Sequence, residues 1–262
     1  MMHILTLKVG KKYSSQYVNK LYLSLKDNST APFKMYCYTD DPEGLIEDVE
    51  VIYNPFMKFL LQWNKVEFHS AEFGDIPQGE HCLIMDIDQI VIGDFDPILT
   101  HQLEEGQFGC MRRWWSRLQE DCPINGGFQM FRKGDTDHIW QKFNADSDFW
   151  QQYYLKNGLA FGKVNGEQNF IHQFAQENRH WFPKEWFGKY DSDQMEVIQK
   201  QWMEEVNTYE PFYLGDEFAE SVKLVHFAAS YNMMHKQNLY IVRKYWGAGE
   251  FDAKSYLRTH RK

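Results

Sequence analysis

The sequence predicts an α/β chain, a single domain with a mostly parallel sheet flanked by helices, and two observations carry that expectation. Short apolar runs of strand length alternate with stretches of helical periodicity through the first hundred residues, the pattern of strand-helix-strand units in a parallel sheet. One of these runs, residues 81–85, leads straight into Asp86. In sheets of this class ligands bind outside the carboxyl ends of the strands, so Asp86 stands where a ligand is expected.

Taken in order, residues 3–9 read as a buried first strand. Ser14 is a suitable N-cap for a helix whose apolar face is Tyr17, Val18, Leu21 and Leu25, closed by Asp27-Asn28-Ser29. Residues 33–38 alternate as a second strand, broken by Thr39-Asp40-Asp41-Pro42. A third short strand is expected at 49–53, a helix at 59–73 and the fourth strand at 81–85. The second half is less regular: a strand at 128–131, helices near 136–156 and 194–206, and a strand at 222–227. Residues 178–190, rich in Trp, Phe and Pro, read as a loop that walls a pocket.

At 262 residues, 43% of them hydrophobic and 17% aromatic, the chain can bury a full core. No apolar run approaches the roughly 20 residues that a membrane helix needs, and the N-terminal apolar stretch is too short for a signal-peptide core. Cys37, Cys82, Cys110 and Cys122 lack the close pairs of a zinc site and give no disulfide framework; the expected setting is reducing and cytoplasmic. A net charge of -9 argues against a general nucleic-acid binder, which needs clustered Lys and Arg. Residues 236–262 reverse that charge, with seven Lys or Arg against Glu250 and Asp252, hence +5 against -14 for the rest. Their basic groups are interleaved with aromatics, so the tail reads either as a solvated helix face or as a peripheral membrane contact.

The central motif is Cys82-Leu83-Ile84-Met85-Asp86-Ile87-Asp88-Gln89-Ile90-Val91-Ile92-Gly93-Asp94. At i and i+2 of an extended chain, Asp86 and Asp88 project to the same side. Two carboxylates so close are costly to keep ionised in a buried place unless a cation joins them, and oxygen ligands fit Mg2+ or Mn2+. The apolar residues on both sides argue against a surface turn.

This Met-Asp-x-Asp-x-x-Val-x-Gly-Asp run resembles the metal motif of the glycogenin-like, family 8 glycosyltransferases and their GT-A relatives. Further segments resemble the family in the same order. Residues 6–13 are similar to its first nucleotide-binding loop, Tyr17-Val18-Asn19-x-Leu21 to its first helix, and Tyr38-Thr39-Asp40-Asp41 to the end of its second strand. Trp63-Asn64-Lys65 resembles the Lys-bearing helix before the metal motif, and Asn125-Gly126-Gly127-Phe128-Gln129-Met130-Phe131 the family's Asn-Ser-Gly-Val strand. Gly166-Glu167-Gln168-Asn169 is similar to its Gly-Asp-Gln, and Val225-His226-Phe227 to the strand bearing the third metal ligand.

The resemblance implies a GT-A fold over residues 1–235, followed by the tail 236–262. It implies transfer from a nucleotide sugar, UDP-linked, to a hydroxyl of a glycan, lipid or protein acceptor, with retention. Asp86, Asp88 and His226 would hold Mn2+ or Mg2+; imidazole beside carboxylates favours Mn2+. Thr6, Leu7, Val9, Tyr13, Lys65, Asp86, Ile87, Asn125, Gly126 and Gly127 would hold the donor. Asp86, Asp88, Glu167 and Gln168 are the implied catalytic positions, with Glu167 facing the sugar.

Two departures stand out. The family's Lys-Pro-Trp after the histidine is replaced by Ala228-Ala229-Ser230-Tyr231-Asn232, so a diphosphate lysine has to come from elsewhere, Lys236 or the tail, or the site depends more on the metal. Glu167 stands where Asp is usual. An inverting reaction would need a general base such as Glu167 or Asp191. Two other functions are compatible with an apolar strand running into Asp-x-Asp. One is a haloacid-dehalogenase-type phosphatase, with Gly215-Asp216-Glu217-Phe218-Ala219-Glu220 as its second acidic site; the other is a non-catalytic nucleotide-sugar-binding module. Trp114, Trp115, Trp181 and Trp186 read as core or, for an exposed indole, as an acceptor platform.

Overall fold

The computed structural model describes residues 1–116, 120–157, 166–191, 194–214 and 217–227. Four parallel strands open the chain: β1 (Met2–Lys8), β2 (Phe33–Thr39), β3 (Glu50–Tyr53) and β4 (His81–Met85), side by side in the order β3-β2-β1-β4. They continue into β7 (Ile124–Arg132), antiparallel to β4, then β6 (Phe108–Arg112), antiparallel to β7, and β8 (Arg179–Trp181), parallel to β6. A separate sheet, ordered β5-β12-β9, joins β5 (Gln89–Val91), β12 (Leu224–Phe227) and β9 (Phe187–Tyr190). β10 (Tyr213–Leu214) and β11 (Glu217–Phe218) form a small antiparallel pair.

The central strands are apolar almost without interruption because both faces of the large sheet are covered. Ile4, Leu83 and Met130 belong to one core with Tyr17, Val18, Leu21 and Leu25 of α1 (Ser15–Asp27). Their chain neighbours Leu5, Ile84 and Phe131 enter the opposite core, as the period of two in a strand requires. That second core is strongly aromatic, built from Trp63, Phe68, Phe143 and Phe170. The remaining helices are α2 (Asp96–Leu99), α3 (Asp137–Ala145), α4 (Ser147–Lys156), α5 (Glu167–Phe174) and α6 (Met195–Val206).

Several expectations change. The Ser14 backbone is extended at the head of α1, but its side chain makes no capping bond. The helix expected over 59–73 is a 3-10 run, Leu61–His69, in which Trp63, Asn64, Lys65, Val66, Phe68 and His69 are all buried. Such all-round burial leaves no single apolar stripe for an α-helical period to express. The expected helical stretch 136–156 divides at Asp146, whose carboxylate caps α4 by accepting from the Phe149 amide at 3.1 Å. Residues 178–190 are not simply loop: they carry β8, a 3-10 turn at Lys184–Trp186, and β9. The strand expected at 128–131 begins earlier, at Ile124, so Asn125-Gly126-Gly127 is strand and not turn.

All four cysteines are buried and unpaired. No helix among the described residues is long and apolar enough to cross a membrane. The run Ala228 to Asn232, Lys236, the 235/236 boundary and the basic tail lie outside the described residues, as do Gly215 and Asp216.

Candidate metal and donor site

The acid pair lies where the two sheets meet. The Asp86 amide donates to the Gly127 carbonyl at 3.1 Å, setting the aspartate against β7. Gly127 is needed there for space, since a Cβ would sit 2.3 Å from Asp86 Oδ2. The Gln89 amide then closes a turn on the Asp86 carbonyl at 3.2 Å and carries Asp88 over to the small sheet, where its carbonyl accepts from the Phe227 amide at 3.0 Å. β12 thereby delivers His226, with Nε2 3.5 Å from Asp88 Oδ1. Asp86, Asp88 and His226 each offer one ligand atom, and these atoms lie within 4.8 Å of one another.

Charge around the cluster is tightly arranged. The ammonium of Lys65, with 5% of its side chain exposed, lies 3.0 Å from Asp86 Oδ1 and 3.4 Å from Glu167 Oε1. Burial pushes this group toward neutrality, but the Asp86 and Glu167 carboxylates outweigh it and hold its pKa above the ordinary lysine value. Burial likewise pushes the Asp88 carboxyl up, while His226, Lys189 and Lys65 prevail and hold it below the usual carboxylate range. The Tyr13 hydroxyl donates to Asp88 Oδ2 at 3.3 Å. His226 Nδ1 is buried with no hydrogen-bond partner among the described residues. Two carboxylates and an imidazole, braced by Lys65 and Tyr13, make a donor set suited to Mn2+ or Mg2+.

Two cavities flank the cluster. The smaller, about 210 Å³, is lined by Leu7, Val9, Tyr13, Leu61, Lys65, Ile87 and the two aspartates. Its loop turns at Gly10, whose φ of 69° suits glycine and whose amide donates to both Asp40 oxygens at 3.1 and 3.0 Å. The larger, about 520 Å³, is lined by Arg113, Trp115, Asn125, Gln168, Lys189, Asp191 and His226, among others.

The expected site residues therefore separate. Leu7, Val9, Tyr13, Lys65 and Ile87 share the first cavity with Asp86 and Asp88. Thr6 does not wall it: the residue is fully buried and its hydroxyl donates to the Met85 carbonyl at 2.9 Å, bracing the end of β4. Asn125 lines the second cavity, not the donor side, and its carboxamide oxygen accepts from the Gly127 amide at 2.7 Å. Gly126 and Gly127 back the site, the former donating its amide to Gln168 Oε1 at 3.2 Å. Glu167 is 6% exposed and its carboxylate is engaged by Lys65, which ties it to the cluster. Trp114 is core, whereas Trp115 walls the second cavity, edge-on to the His226 ring with centroids 5.9 Å apart. Trp181 stacks under Arg112 at 4.2 Å, and Trp186 packs partly buried against the first core.

No family model matches the sequence, and no curated protein does. Likeness appears in three dimensions. The galactosyltransferase LgtC, solved in complex with donor and acceptor sugar analogs, superposes with a TM-score of 0.60 over 98% of this chain and 94% of its own, at 13% identity. The fold is GT-A. The glycosyltransferase GlyE of Streptococcus pneumoniae TIGR4 has a TM-score of 0.60 over 98% of this chain and 63% of its own, at 11% identity. For the bifunctional WbbM the values are 0.61, 97%, 51% and 10%. These neighbours agree with the resemblance carried by the motifs, and at such identities the likeness is one of fold. The GT-A fold, with a histidine brought against the acid pair from a second sheet, displaces the haloacid-dehalogenase reading.

Lys189 and Arg113 are among the wall residues that sequence reasoning left unassigned. The signal for Lys189 is the alternation Phe187-Gly188-Lys189-Tyr190, in which the aromatics are buried and the lysine is not.

Proposed function

We propose that the protein is a metal-dependent glycosyltransferase that moves a sugar from a UDP-linked donor to an acceptor hydroxyl, with retention. The observation that carries this reading is the convergence of Asp86, Asp88 and His226 within 4.8 Å between two cavities of a GT-A fold. In this reading the smaller cavity takes the nucleotide, with Leu7, Val9 and Ile87 as apolar walls and the Tyr13 ring as a stacking face. Because the Tyr13 hydroxyl also bonds Asp88, one side chain couples nucleotide contact to the acid pair. Lys65 orients Asp86, and Glu167 keeps Lys65 in place. A divalent cation bound by Asp86, Asp88 and His226 supplies Lewis-acid neutralisation of the charge that grows on the departing diphosphate.

Retention is supported by what the carboxylates do. Glu167, one base an inverting route would require, is committed to Lys65, and Asp191 accepts from Gln194 Nε2 at 3.3 Å. A retaining route needs no dedicated base, since the departing phosphate can help take the acceptor proton. The test is a screen of nucleotide sugars for release of the nucleotide with Mn2+ and with chelator. Release of UDP from one or more UDP-sugars with Mn2+ only is expected; release unchanged by chelator would overturn the reading.

A further inference from the structure

The second cavity contains a cation to which the transfer reading gives no role. Lys189 lies on β9, Cα-paired with His226 of the neighbouring strand, and its ammonium is 5.4 Å from the centroid of the Trp115 ring. Asp88, Asp191 and Asp86 attract it from a distance. Among the described residues, however, no carboxylate is within ion-pair reach of it, unlike Lys65, which holds Asp86 at 3.0 Å and Glu167 at 3.4 Å. Arg113 places a second cation in the same wall, its Nε–H donating to the Cys122 carbonyl. An ammonium partly withdrawn from water without a contacting counter-ion is unfavourable, and a ligand that brings an anion relieves that cost.

Resting on the transfer reading above, we propose that Lys189 binds a negatively charged group on the acceptor, a carboxylate or a phosphate, and so makes the enzyme selective for acidic acceptors. The acceptor side is favoured over the donor side because Lys189 lines the cavity of Trp115, Asn125 and Gln168, whereas Lys12 and Lys65 line the nucleotide cleft. The Asn125 and Gln168 amides and the Trp115 ring, which line the same cavity, suit the hydroxyls and apolar face of a sugar ring. Lys189 would add the charge that distinguishes an acidic sugar from a neutral one of the same shape.

The test uses the full-length protein with Mn2+ and UDP. Glucose, glucuronate and glucose 6-phosphate are titrated into wild type, Lys189→Gln and Lys189→Arg, with binding followed by ligand-observed NMR. Wild type should bind at least one of the acidic sugars about tenfold more tightly than glucose, the scale of one charge-assisted hydrogen bond. Which acidic sugar is preferred tells carboxylate from phosphate. Lys189→Gln should remove the preference while UDP affinity stays within about twofold, and Lys189→Arg should keep part of it, which a merely structural lysine would not require. Equal affinity for all three sugars in wild type would overturn the proposal alone. A Lys189→Gln variant that loses UDP affinity but keeps the sugar preference would also overturn it and assign Lys189 to the departing diphosphate. Absence of Mn2+-dependent UDP binding in wild type would overturn the transfer reading and this proposal together.

Discussion

The two cavities that flank the Asp86, Asp88 and His226 cluster are assembled in different ways. The smaller is made from three short stretches of the first third of the chain, around Leu7 to Tyr13, Leu61 to Lys65 and Asp86 to Asp88. The larger gathers single residues from separated elements: Trp115 after β6, Asn125 on β7, Gln168 on α5, Lys189 on β9 and His226 on β12. The first lies at strand ends of the parallel sheet, closed by a loop and a 3-10 run; the second depends on how a three-stranded sheet and several loops dock. In the reading proposed here, the shared chemistry of cation and diphosphate lies on the locally encoded side, and the choice of acceptor lies on the side that only tertiary assembly creates.

That contrast can be broken by mutation, starting with the residue both cavities depend on. Asp88→Asn should lower transfer by about 10² to 10³, the scale of losing one strong electrostatic contact to a developing charge, read as initial rate with Mn2+. It should also cost some stability, because His226 and Lys189 favour the ionised carboxylate; a variant with undiminished turnover would remove Asp88 from the site. Lys65→Met should destabilise the metal-free protein by about 3 kcal/mol, the lower end for breaking a buried ion pair. Asp86 is left facing Glu167 without its cation, so added Mn2+ should restore part of the loss in urea unfolding.

The paired glycines sharpen the contrast, since each backs a different cavity. An alanine Cβ at Gly127 would meet Asp86 Oδ2 at 2.3 Å, and at Gly126 it would meet the Gln168 Cβ at 2.9 Å. Either substitution should cost about 1–3 kcal/mol through overpacking. Gly127→Ala should weaken Mn2+-dependent nucleotide binding, whereas Gly126→Ala should act mainly on the acceptor KM. Identical effects from both would argue that the two cavities are one functional unit.

A pH-dependent effect lies outside both cavity linings. Burial lowers the His69 pKa to about 3, against a weaker opposing contribution from Gln129, and burial with the neighbouring Arg179 lowers that of His172 to about 4. The native state thus prefers neutral imidazole. The stability this represents is complete above the ordinary value of about 6.5 and is lost as the unfolded chain takes up protons below it. Stability should therefore fall between about pH 6.5 and 4, with a slope of at most about 1.4 kcal/mol per pH unit per histidine. The fall should be alike in wild type and Asp88→Asn, since neither histidine touches the acid pair.

How much of this was legible in the sequence follows the same division. Asp86 and Asp88 could be read because a strand end and a two-residue spacing constrain them locally, whereas Lys65 and Tyr13 were read through the family resemblance. His226 could be read only through the order of motifs. Thr6 was misplaced because composition does not tell whether a hydroxyl at a strand end faces a cleft or the backbone of the next strand. The salt bridge of Glu167 to Lys65, about a hundred residues away in sequence, went unread because it has no local signature. Lys189 escaped since β9 is only four residues long and lies in an aromatic stretch with loop-like composition.

The central claim is that a cation held by Asp86, Asp88 and His226 joins the protein to a nucleoside diphosphate. It is tested most directly by calorimetric titration of UDP into the protein with Mn2+ and with chelator. Binding with Mn2+ should be tighter by about 100-fold or more, a coupling of about 2.7 kcal/mol. Equal UDP affinity in the two conditions would contradict the account.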